Sequence, residues 1–296
     1  MTVRRQSSLY TTPPVVFLSL PGRPPTGVDA TISPNRHADP IREWTMPRKS
    51  QSSARTSRAE RPPLPNRRPK NRLLAALPAE DLGRILPYLK TVPIRVKRVL
   101  HRSGEPLRAV YFLNGGVASI TTTLSDGTTV EAATVGDEGM LGVEAFLSDD
   151  AVAPGDTFIQ VPDTSAEMMN VDDFRREVGL RGPFRELVGR YTQIIIAQMM
   201  QSTGCNALHQ VPQRAARWLL MTHDRMHGED FHLSHEFLAI MLGVQRPTVS
   251  AVAASLQQAG LIRYVHGRVT VLNRKGLEAV SCECYQVIRA HFDKLR

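Results

Sequence analysis

Three groups of side chains in the sequence have the residue types that binding or catalytic chemistry requires. The first group is polar and nearly contiguous: Gln245, Arg246, Pro247, Thr248 and Ser250. The second group is a set of four histidines: His223, His227, His232 and His235. The third group contains all the cysteines of the chain: Cys205, Cys282 and Cys284. A guanidinium and an amide can form paired hydrogen bonds with planar partners, whereas imidazole and thiolate groups bind metals.

The histidine group is the weaker candidate for a metal site. His223 and His227 have the i, i+4 spacing of one helical face, and Glu229 and Asp230 follow them. The segment, however, crosses a predicted helix end and a turn at Gly228. We therefore favour exposed polar loop residues over the metal centre of a metal-dependent enzyme.

The cysteines are few and odd in number, which argues against a disulfide framework and is typical of a reducing compartment. Cys282 and Cys284 could bind a metal or form a redox pair. No second pair at ligand spacing accompanies them, so we expect ordinary thiols on a late helix. The sequence also lacks a phosphate-binding loop, a dinucleotide fingerprint and a nucleophile elbow. We expect no catalytic residue, no metal and no cofactor.

The polar group follows a segment with the pattern of a helix-turn-helix. Ser234 can cap a first helix whose apolar residues face one side. Gly243 permits the left-handed backbone that ends this helix in a tight turn. Pro247 is tolerated in the first turn of a second helix, because its missing N–H has no partner there. Val244 can fill the gap between the two helices.

The second predicted helix places Arg246 at its N-terminal end, which is the part of a recognition helix that reaches base edges. Its guanidinium can bind guanine O6 and N7 together, and Gln245 could bind adenine or phosphate. Thr248 and Ser250 could contact phosphate or a thymine methyl group. A hairpin follows around His266-Gly267 in the position of a wing. Its two arginines are candidate phosphate contacts: Arg263 and Arg268.

The charge distribution agrees with this assignment only locally. The formal net charge is +9, but residues 1–72 alone carry +10 and contain 12 prolines. Residues 73–204 carry −5, and residues 205–296 carry +4. We predict that 1–72 is a disordered basic tail, either an arm touching DNA or a solvated extension, and Met46 offers an alternative start. No apolar run approaches the length of a membrane span.

Residues 73–181 predict a different architecture, with short helices broken at Pro78 and Pro87 and then many short strands. Turn signals occur at Asn114-Gly115-Gly116 and Ser125-Asp126-Gly127. The predicted strands include Ile94-x-Val96, Val110–Leu113, Val117–Thr123, Thr128–Val135, Thr157–Val161 and Ala166–Asn170. This spacing predicts a small antiparallel roll, so the whole chain falls in the α+β class.

A long helix is predicted from about Pro183 to Leu208, in a linking segment at 182–209. Its apolar residues follow the three-and-four spacing of one helical face. We expect this face to pair with a second copy of the chain, although it could instead cover the roll. The predicted dimerisation residues are Leu187, Tyr191, Ile194, Ile195 and Met199. A further helix is predicted at Gln213–Met226, within a DNA-binding domain at 210–296.

These features together resemble the Crp/Fnr family of bacterial regulators over residues 73–296. The resemblance rests on the glycine-punctuated roll with Gly136–Gly142, the long helix, Gln213–Leu220 and Leu233–Ser250. It implies a sensor roll, a dimerising helix and a winged domain that binds near-palindromic operators as a homodimer. It implies double-stranded DNA as partner, RNA polymerase if the protein is an activator, and a cytoplasmic location. The resemblance places Arg246 at the position of the family's base-reading arginine. The family's second basic recognition position corresponds to Ala251 in this sequence, which carries no charge.

The predicted sensor departs from the cyclic-nucleotide members of the family. Gly142, Val143, Glu144 and Ala145 partly match the family's phosphate-binding cassette and are the candidate effector pocket. From Glu144 to Asp173, however, there is no Arg or Lys, so a cyclic phosphate would meet carboxylates without a cation. We expect an effector other than cyclic AMP. Residues 73–204 also lack the cysteines of iron–sulfur members. His101 or a methionine could ligate haem, but nothing specific indicates it.

Two other function classes remain as alternatives to a DNA-binding regulator. One is a cyclic-nucleotide-type module that acts on a protein partner and not on DNA. The other is the metal-dependent enzyme that would use the histidine group.

Overall fold

The computed structural model describes residues 68–162, 165–226 and 228–295. The predicted tail therefore lies, up to residue 67, outside the described residues. Order begins with helices α1 (Arg72–Ala75) and α2 (Ala79–Ile85) and a 3-10 helix at Leu86–Tyr88. Asn71 caps α1, since its side chain accepts from the Leu74 N–H at 3.0 Å. The Asn71 amide also donates to the Leu113 carbonyl at 2.8 Å, which fixes α1 on the strands that follow.

Two antiparallel sheets form the roll predicted from the sequence. The strands are β1 (Lys90–Pro93), β2 (Val99–His101), β3 (Ala109–Leu113), β4 (Gly116–Thr123), β5 (Thr129–Val135), β6 (Asp156–Pro162) and β7 (Ser165–Asn170). One sheet has the order β1-β7-β3 and the other β2-β6-β4-β5. The core between them is formed by apolar residues such as Val110, Phe112 and Ile159, which are fully buried. The α+β fold class is confirmed.

Two local predictions in the roll differ from the structure. The turn at Asn114-Gly115-Gly116 does not join two paired strands, because β3 pairs with β7 whereas β4 pairs with β5 and β6. This turn instead carries the chain from one sheet to the other. Ile94 is buried but lies just after β1, and Val96 is exposed, so the predicted strand lies a few residues too late. The hairpin at Ser125–Gly127 is confirmed, with Thr123 paired to Thr129.

Three helices pack on the roll: α3 (Glu144–Leu147), α4 (Val171–Gly179) and α5 (Pro183–Leu208). The bounds of α5 agree with the predicted long helix. Its apolar stripe covers the roll of the same chain, because Leu187, Tyr191, Ile194 and Ile195 are buried in the roll's core and Met199 packs against it. These five residues, predicted to form a dimer interface, are thus already used within one chain. The correction follows from packing, since helical periodicity identifies a buried face but not its partner.

The C-terminal part contains α6 (Val211–His223), β8 (Asp230–His232), α7 (His235–Leu242), α8 (Arg246–Gln258), β9 (Ile262–Val265), β10 (Arg268–Val271), α9 (Arg274–Val280) and α10 (Cys284–Asp293). Helix α6 ends three residues before the predicted Met226. The predicted hairpin is β9–β10, and β8 adds a strand that the sequence did not predict, in the order β8-β10-β9.

Side chains of α6 and of the turn after it reach into the roll. The Trp218 indole N–H donates to the Glu131 carboxyl of β5 at 3.1 Å. Arg225 forms a buried ion pair with Glu138, with Nη2 to Oε1 at 2.6 Å. Phe237 of α7 stacks edge-on against Phe158 of β6, with ring centroids 5.8 Å apart. The roll and the C-terminal part are therefore joined by specific polar and aromatic contacts.

In the described part of the chain, no single helix has the length and apolar composition needed to cross a membrane, whereas α7 and α8 taken together, as a bent pair, pass that test.

Candidate nucleic-acid interface

The α7–α8 segment has the capping chemistry that the sequence predicted. The Ser234 hydroxyl accepts from the Phe237 N–H at 3.2 Å and thereby begins α7. Gly243 ends α7 with φ 60° and ψ 42°, the left-handed conformation that glycine adopts without steric cost. The chain bends by 106° between the two helices, within the range of about 90–120° for a helix-turn-helix.

The inner faces of both helices are buried, which leaves one end of α8 exposed. The buried side chains are Leu238, Met241 and Leu242 of α7 and Val249, Val252 and Leu256 of α8. Four consecutive residues at the start of α8 are exposed: Gln245, Arg246, Pro247 and Thr248. Because the free N–H groups of a helix N-terminus carry a partial positive charge, this exposed end also favours an anionic partner.

The Arg246 side chain forms an ion pair with Glu236. Its Nε lies 3.0 Å from Oε1 of Glu236 on α7, and the two side chains are 64% and 60% exposed. An ion pair this exposed contributes at most about 1 kcal/mol, so a nucleic-acid ligand can displace or reorganise it. The contact through Nε leaves the terminal amino groups of the guanidinium available for a paired hydrogen bond.

Ser250 has a different role from the predicted DNA contact. It is half-buried, its hydroxyl lies 2.9 Å from Nδ1 of His235, and it donates to the Arg246 carbonyl at 3.2 Å. The His235 ring in turn stacks on Tyr264 of β9, with centroids 4.4 Å apart. Burial lowers the pKa of His235, and the charge of Arg246 lowers it further. Ser250 therefore helps to hold α7, α8 and β9 together.

Arg214 also supports this site, although no feature of the sequence indicates it. It is buried on α6, and its guanidinium donates to the Leu242 carbonyl at the end of α7. This contact satisfies one of the carbonyls left free at a helix C-terminus. The spacing of 28 residues between the partners gave no sequence signal.

The β9–β10 hairpin forms an exposed basic edge beside the two helices. His266 and Gly267 both have positive φ, 48° and 74°, as a type I′ turn requires. Arg263 and Arg268 are exposed on the two strands. Arg268 also pairs with Asp230 of β8 and donates to His232 at 3.0 Å. An open hollow of about 440 Å³ on this sheet is lined by His232, Arg263, Val265, His266, Arg268 and Thr270.

A family model described as the Crp-like helix-turn-helix domain matches residues 213–280, which contain α7, α8 and the hairpin. Residues 213–280 therefore form a Crp-like helix-turn-helix domain. No curated protein is significantly similar to the chain in sequence.

Solved structures of Crp/Fnr regulators have the same fold as this chain. A protein of the family from Eubacterium rectale is 17% identical, with a TM-score of 0.55 over 70% of this chain and 96% of that chain. FixK2 from Bradyrhizobium japonicum is 18% identical, with a TM-score of 0.55 over 66% and 98%. The c-di-GMP responsive global regulator CLP from Xanthomonas campestris is 16% identical, with a TM-score of 0.53 over 66% and 99%.

The roll of this chain places the candidate effector residues directly after Leu141, which pairs with Tyr111 of β3. Gly142 has φ 84°, and Val143 and Ala145 are buried. Burial raises the pKa of Glu144 at the start of α3, and no cation contributes to the shift. The neighbouring interior is filled by Tyr191 of α5, whose hydroxyl donates to the Met140 carbonyl at 2.8 Å.

The fold brings two arginines towards α3 from outside the cation-free segment 144–173. Arg175 of α4 donates to the Ser148 carbonyl at 3.5 Å. The Arg185 guanidinium lies 5.3 Å from the centroid of the Phe146 ring and donates to the Val178 carbonyl. Both groups bind protein atoms and not Glu144, so neither completes the phosphate-binding cassette in this arrangement.

The histidine group does not converge on one point among the described residues, which exclude His227. His223 lies 3.3 Å from Glu229 and accepts from Arg274 at 2.8 Å. His232 contacts Arg268, and His235 contacts Ser250. Each described histidine of this group therefore has its own neighbours, which favours the interpretation as polar surface residues.

Proposed function

We propose that this protein is a transcriptional regulator of the Crp/Fnr type, which binds near-palindromic operators as a homodimer with the N-terminal end of α8 in the major groove. The observation that carries the proposal is the exposed run Gln245–Thr248 at the start of α8, beside the basic hairpin β9–β10. A recognition helix meets base edges with this end, and a two-fold dimer matches the two halves of an operator.

Arg246 is the base-reading residue in this proposal. Its free terminal amino groups are suited to guanine O6 and N7, while Gln245 and Thr248 contact adenine, phosphate or a thymine methyl group. Arg263 and Arg268 bind phosphates and set the position of the protein on the duplex. Ala251 is exposed one turn further along α8 and offers no cation. The operator therefore differs from those read by two basic residues of the recognition helix.

A different face of α5 supports dimerisation once the buried stripe is excluded. Residues at alternating spacings of four and three remain open on this helix: Gly189, Gln193, Ile196, Met200, Thr203 and Ala207. Ile196 is 48% exposed and Met200 is 71% exposed, which is unusual for apolar side chains of this size. A stripe of this spacing is the seam of a two-helix coiled coil, so a second copy of α5 would bury both residues.

The effector is proposed to be a ligand other than cyclic AMP. This rests on the missing cation beside Glu144 and on the filled space around Tyr191. A cyclic phosphate placed there would lose its hydration without a compensating charge. The proposal also includes a cytoplasmic location, a non-catalytic role and, for an activator, contact with RNA polymerase.

The test of DNA binding compares Arg246→Ala with Arg181→Ala, which removes an exposed arginine of the loop before α5. Operators are first selected from genomic DNA by the wild-type protein. Arg246→Ala should weaken operator binding by about 1–3 kcal/mol and relax its sequence preference. Arg181→Ala should leave both unchanged, and wild-type affinity should fall steeply with salt.

Two results would contradict the proposal. If Arg246→Ala binds the selected operators as tightly as wild type, α8 is not the reading helix. If the wild-type protein binds no duplex but captures a protein, the module that acts on a protein partner is the better interpretation.

The dimer is tested separately with Met200→Glu and the conservative control Met200→Leu, measured by analytical ultracentrifugation. Met200→Glu should shift the protein to a monomer and weaken binding to full operators. Met200→Leu should remain dimeric. A dimeric Met200→Glu protein would exclude the exposed α5 stripe as the interface.

A further inference from the structure

The three cysteines of the chain and His209 meet at one point in the structure. Cys205 lies in the last turn of α5, and His209 is the residue that ends this helix. Cys282 lies just before α10, and Cys284 is its first residue. The ligand atoms of all four side chains lie within 4.8 Å of one another. This cluster is distant in sequence from Arg246 and takes no part in the proposed DNA contacts.

The arrangement has the dimensions of a tetrahedral metal site. The Cys205 and Cys282 sulfurs are 3.5 Å apart, and the Cys284 sulfur is 3.4 Å from Nδ1 of His209. A metal–sulfur bond of about 2.3 Å gives a tetrahedron whose ligands are about 3.8 Å apart. The observed separations therefore need only small adjustments to surround a single ion.

The surroundings of the cluster also fit a bound metal. Nε2 of His209 lies 3.2 Å from the Glu283 carboxylate, so Nδ1 is the nitrogen that faces the sulfurs. A histidine ligand held by a carboxylate on its other nitrogen is a common feature of zinc sites. The Gln201 amide donates to the Cys284 sulfur at 3.0 Å, which stabilises a thiolate.

The charged groups around the sulfurs also favour a bound metal. All three cysteines are buried, and they form an apolar cluster of their own. Arg214 and Arg217 are buried on α6, and both lie close enough to Cys205 to interact with it electrostatically. Three thiolates around a divalent ion carry one net negative charge, and a buried guanidinium can offset it.

We propose that Cys205, His209, Cys282 and Cys284 bind one zinc ion in a structural site. Three sulfurs and one nitrogen form a soft tetrahedral ligand set, which zinc accepts. Four protein ligands leave no open position, so the site is structural and not catalytic. The ion joins the end of α5 to the start of α10 and so fixes the linking helix to the C-terminal helix.

This site replaces our expectation that the cysteines are ordinary thiols. The sequence contains a second ligand pair, Cys205-x3-His209, at the i, i+4 spacing of one helical face. This pair is not recognised as a second cysteine pair, because it combines a cysteine with a histidine. Its Cys205 also lies 77 residues before Cys282.

The first experiment measures metal in the full-length protein, made without a histidine tag and kept reduced. We expect about one zinc per chain by elemental analysis, because the cluster holds one set of four ligands. The three thiols, which are all the cysteines of the chain, should react with a thiol reagent only after zinc is removed. Cobalt substituted for zinc should give the visible spectrum of a tetrahedral thiolate complex.

Variants then assign the ligands. Cys284→Ser and His209→Gln should each lose most of the zinc, and Glu283→Gln should weaken zinc affinity by about 10–100-fold. His223→Gln is the matched control, since it removes a histidine of α6 outside the cluster, and it should keep the full amount. The cobalt spectrum of the wild-type protein does not depend on whether a variant folds.

Four results would overturn the proposal. The first is a reduced wild-type protein that takes up no zinc, and the second is a protein that contains iron and labile sulfide in place of zinc. The third is a Cys205–Cys282 disulfide in the isolated metal-free protein. The fourth is a folded Cys284→Ser variant that keeps all its zinc.

Discussion

Glu131 of β5 lies where the roll meets α6, and replacing it with glutamine should remove a defined part of the pH dependence of stability. Its carboxyl group is buried, and accepts from the Ser119 hydroxyl at 2.6 Å and from the Trp218 indole at 3.1 Å. Burial raises the pKa of Glu131 to about 7, although Ser119 and the charge of Arg217 act to lower it.

The sign and size of the effect follow from this pKa. In the unfolded chain Glu131 ionises near its ordinary pKa of 4.5. Between that pH and about 7 the folded protein holds a proton that the unfolded chain has released, so stability falls as pH rises. One pKa unit corresponds to about 1.4 kcal/mol, so the free energy of unfolding should drop by about 3 kcal/mol across this range.

Glutamine reproduces the protonated side chain at every pH. Its carbonyl can accept from Trp218, and its amide can donate to Ser119, whose hydroxyl then donates to Gln160. Glu131→Gln should therefore have nearly wild-type stability at pH 4.5. It should be more stable than wild type by up to about 3 kcal/mol at pH 8, because it carries no buried charge.

The assay is urea unfolding of both proteins at pH 4.5, 6 and 8, followed by tryptophan fluorescence and by circular dichroism. The quantity compared is the difference in unfolding free energy between the two proteins at each pH, which cancels titration of all other groups. A difference that stays constant from pH 4.5 to pH 8, or that shrinks as pH rises, would refute this account of Glu131.

Three further substitutions test other parts of the structure by the same unfolding assay. Arg225→Met should cost about 3–5 kcal/mol at pH 7, because it leaves the buried Glu138 carboxylate with only the more exposed Arg72, 3.6 Å away, as an ion-pair partner. Adding Glu138→Gln should recover part of the loss, and additive effects of the two substitutions would contradict the pairing. Gly243→Ala should cost about 1–2 kcal/mol, because φ is 60° there and alanine is strained in this left-handed conformation. The control Gly83→Ala lies at an open helical position of α2 and should be neutral or stabilising. Equal effects at the two sites would argue against the left-handed turn. Ser234→Ala should cost about 0.5–2 kcal/mol through loss of the α7 cap, and Ser234→Asp should retain the cap; an unchanged alanine variant would show that the cap contributes nothing.

Short-range sequence signals predicted much of the DNA-binding part of the chain. Ser234, Gly243 and Pro247 act within one or two helical turns of their own positions, through backbone conformation and capping. Their effects therefore follow from residue type and spacing alone. The same is true of the hairpin turn at His266-Gly267 and of the bounds of α5, which begins at Pro183.

The roll was predicted as a class of structure but not in its strand pairing. Alternating apolar residues identify strands, but the partner of a strand depends on which surfaces the folded chain brings together. The turn at Asn114-Gly115-Gly116 looks the same in sequence whether it closes a hairpin or connects two sheets. Only the pairing of β3 with β7 decides between them.

The sequence by itself determined the helix-turn-helix, its exposed Arg246 and the α+β class, because these depend on contacts between near neighbours in the chain. The tertiary structure decided which face of α5 is buried, where Ser250 directs its hydroxyl, and that Cys205 and His209 meet Cys282 and Cys284. Each of these depends on segments that are far apart in the chain, such as the 77 residues between Cys205 and Cys282. Burial and charge at such contacts arise only when packing excludes water, and no local spacing encodes that.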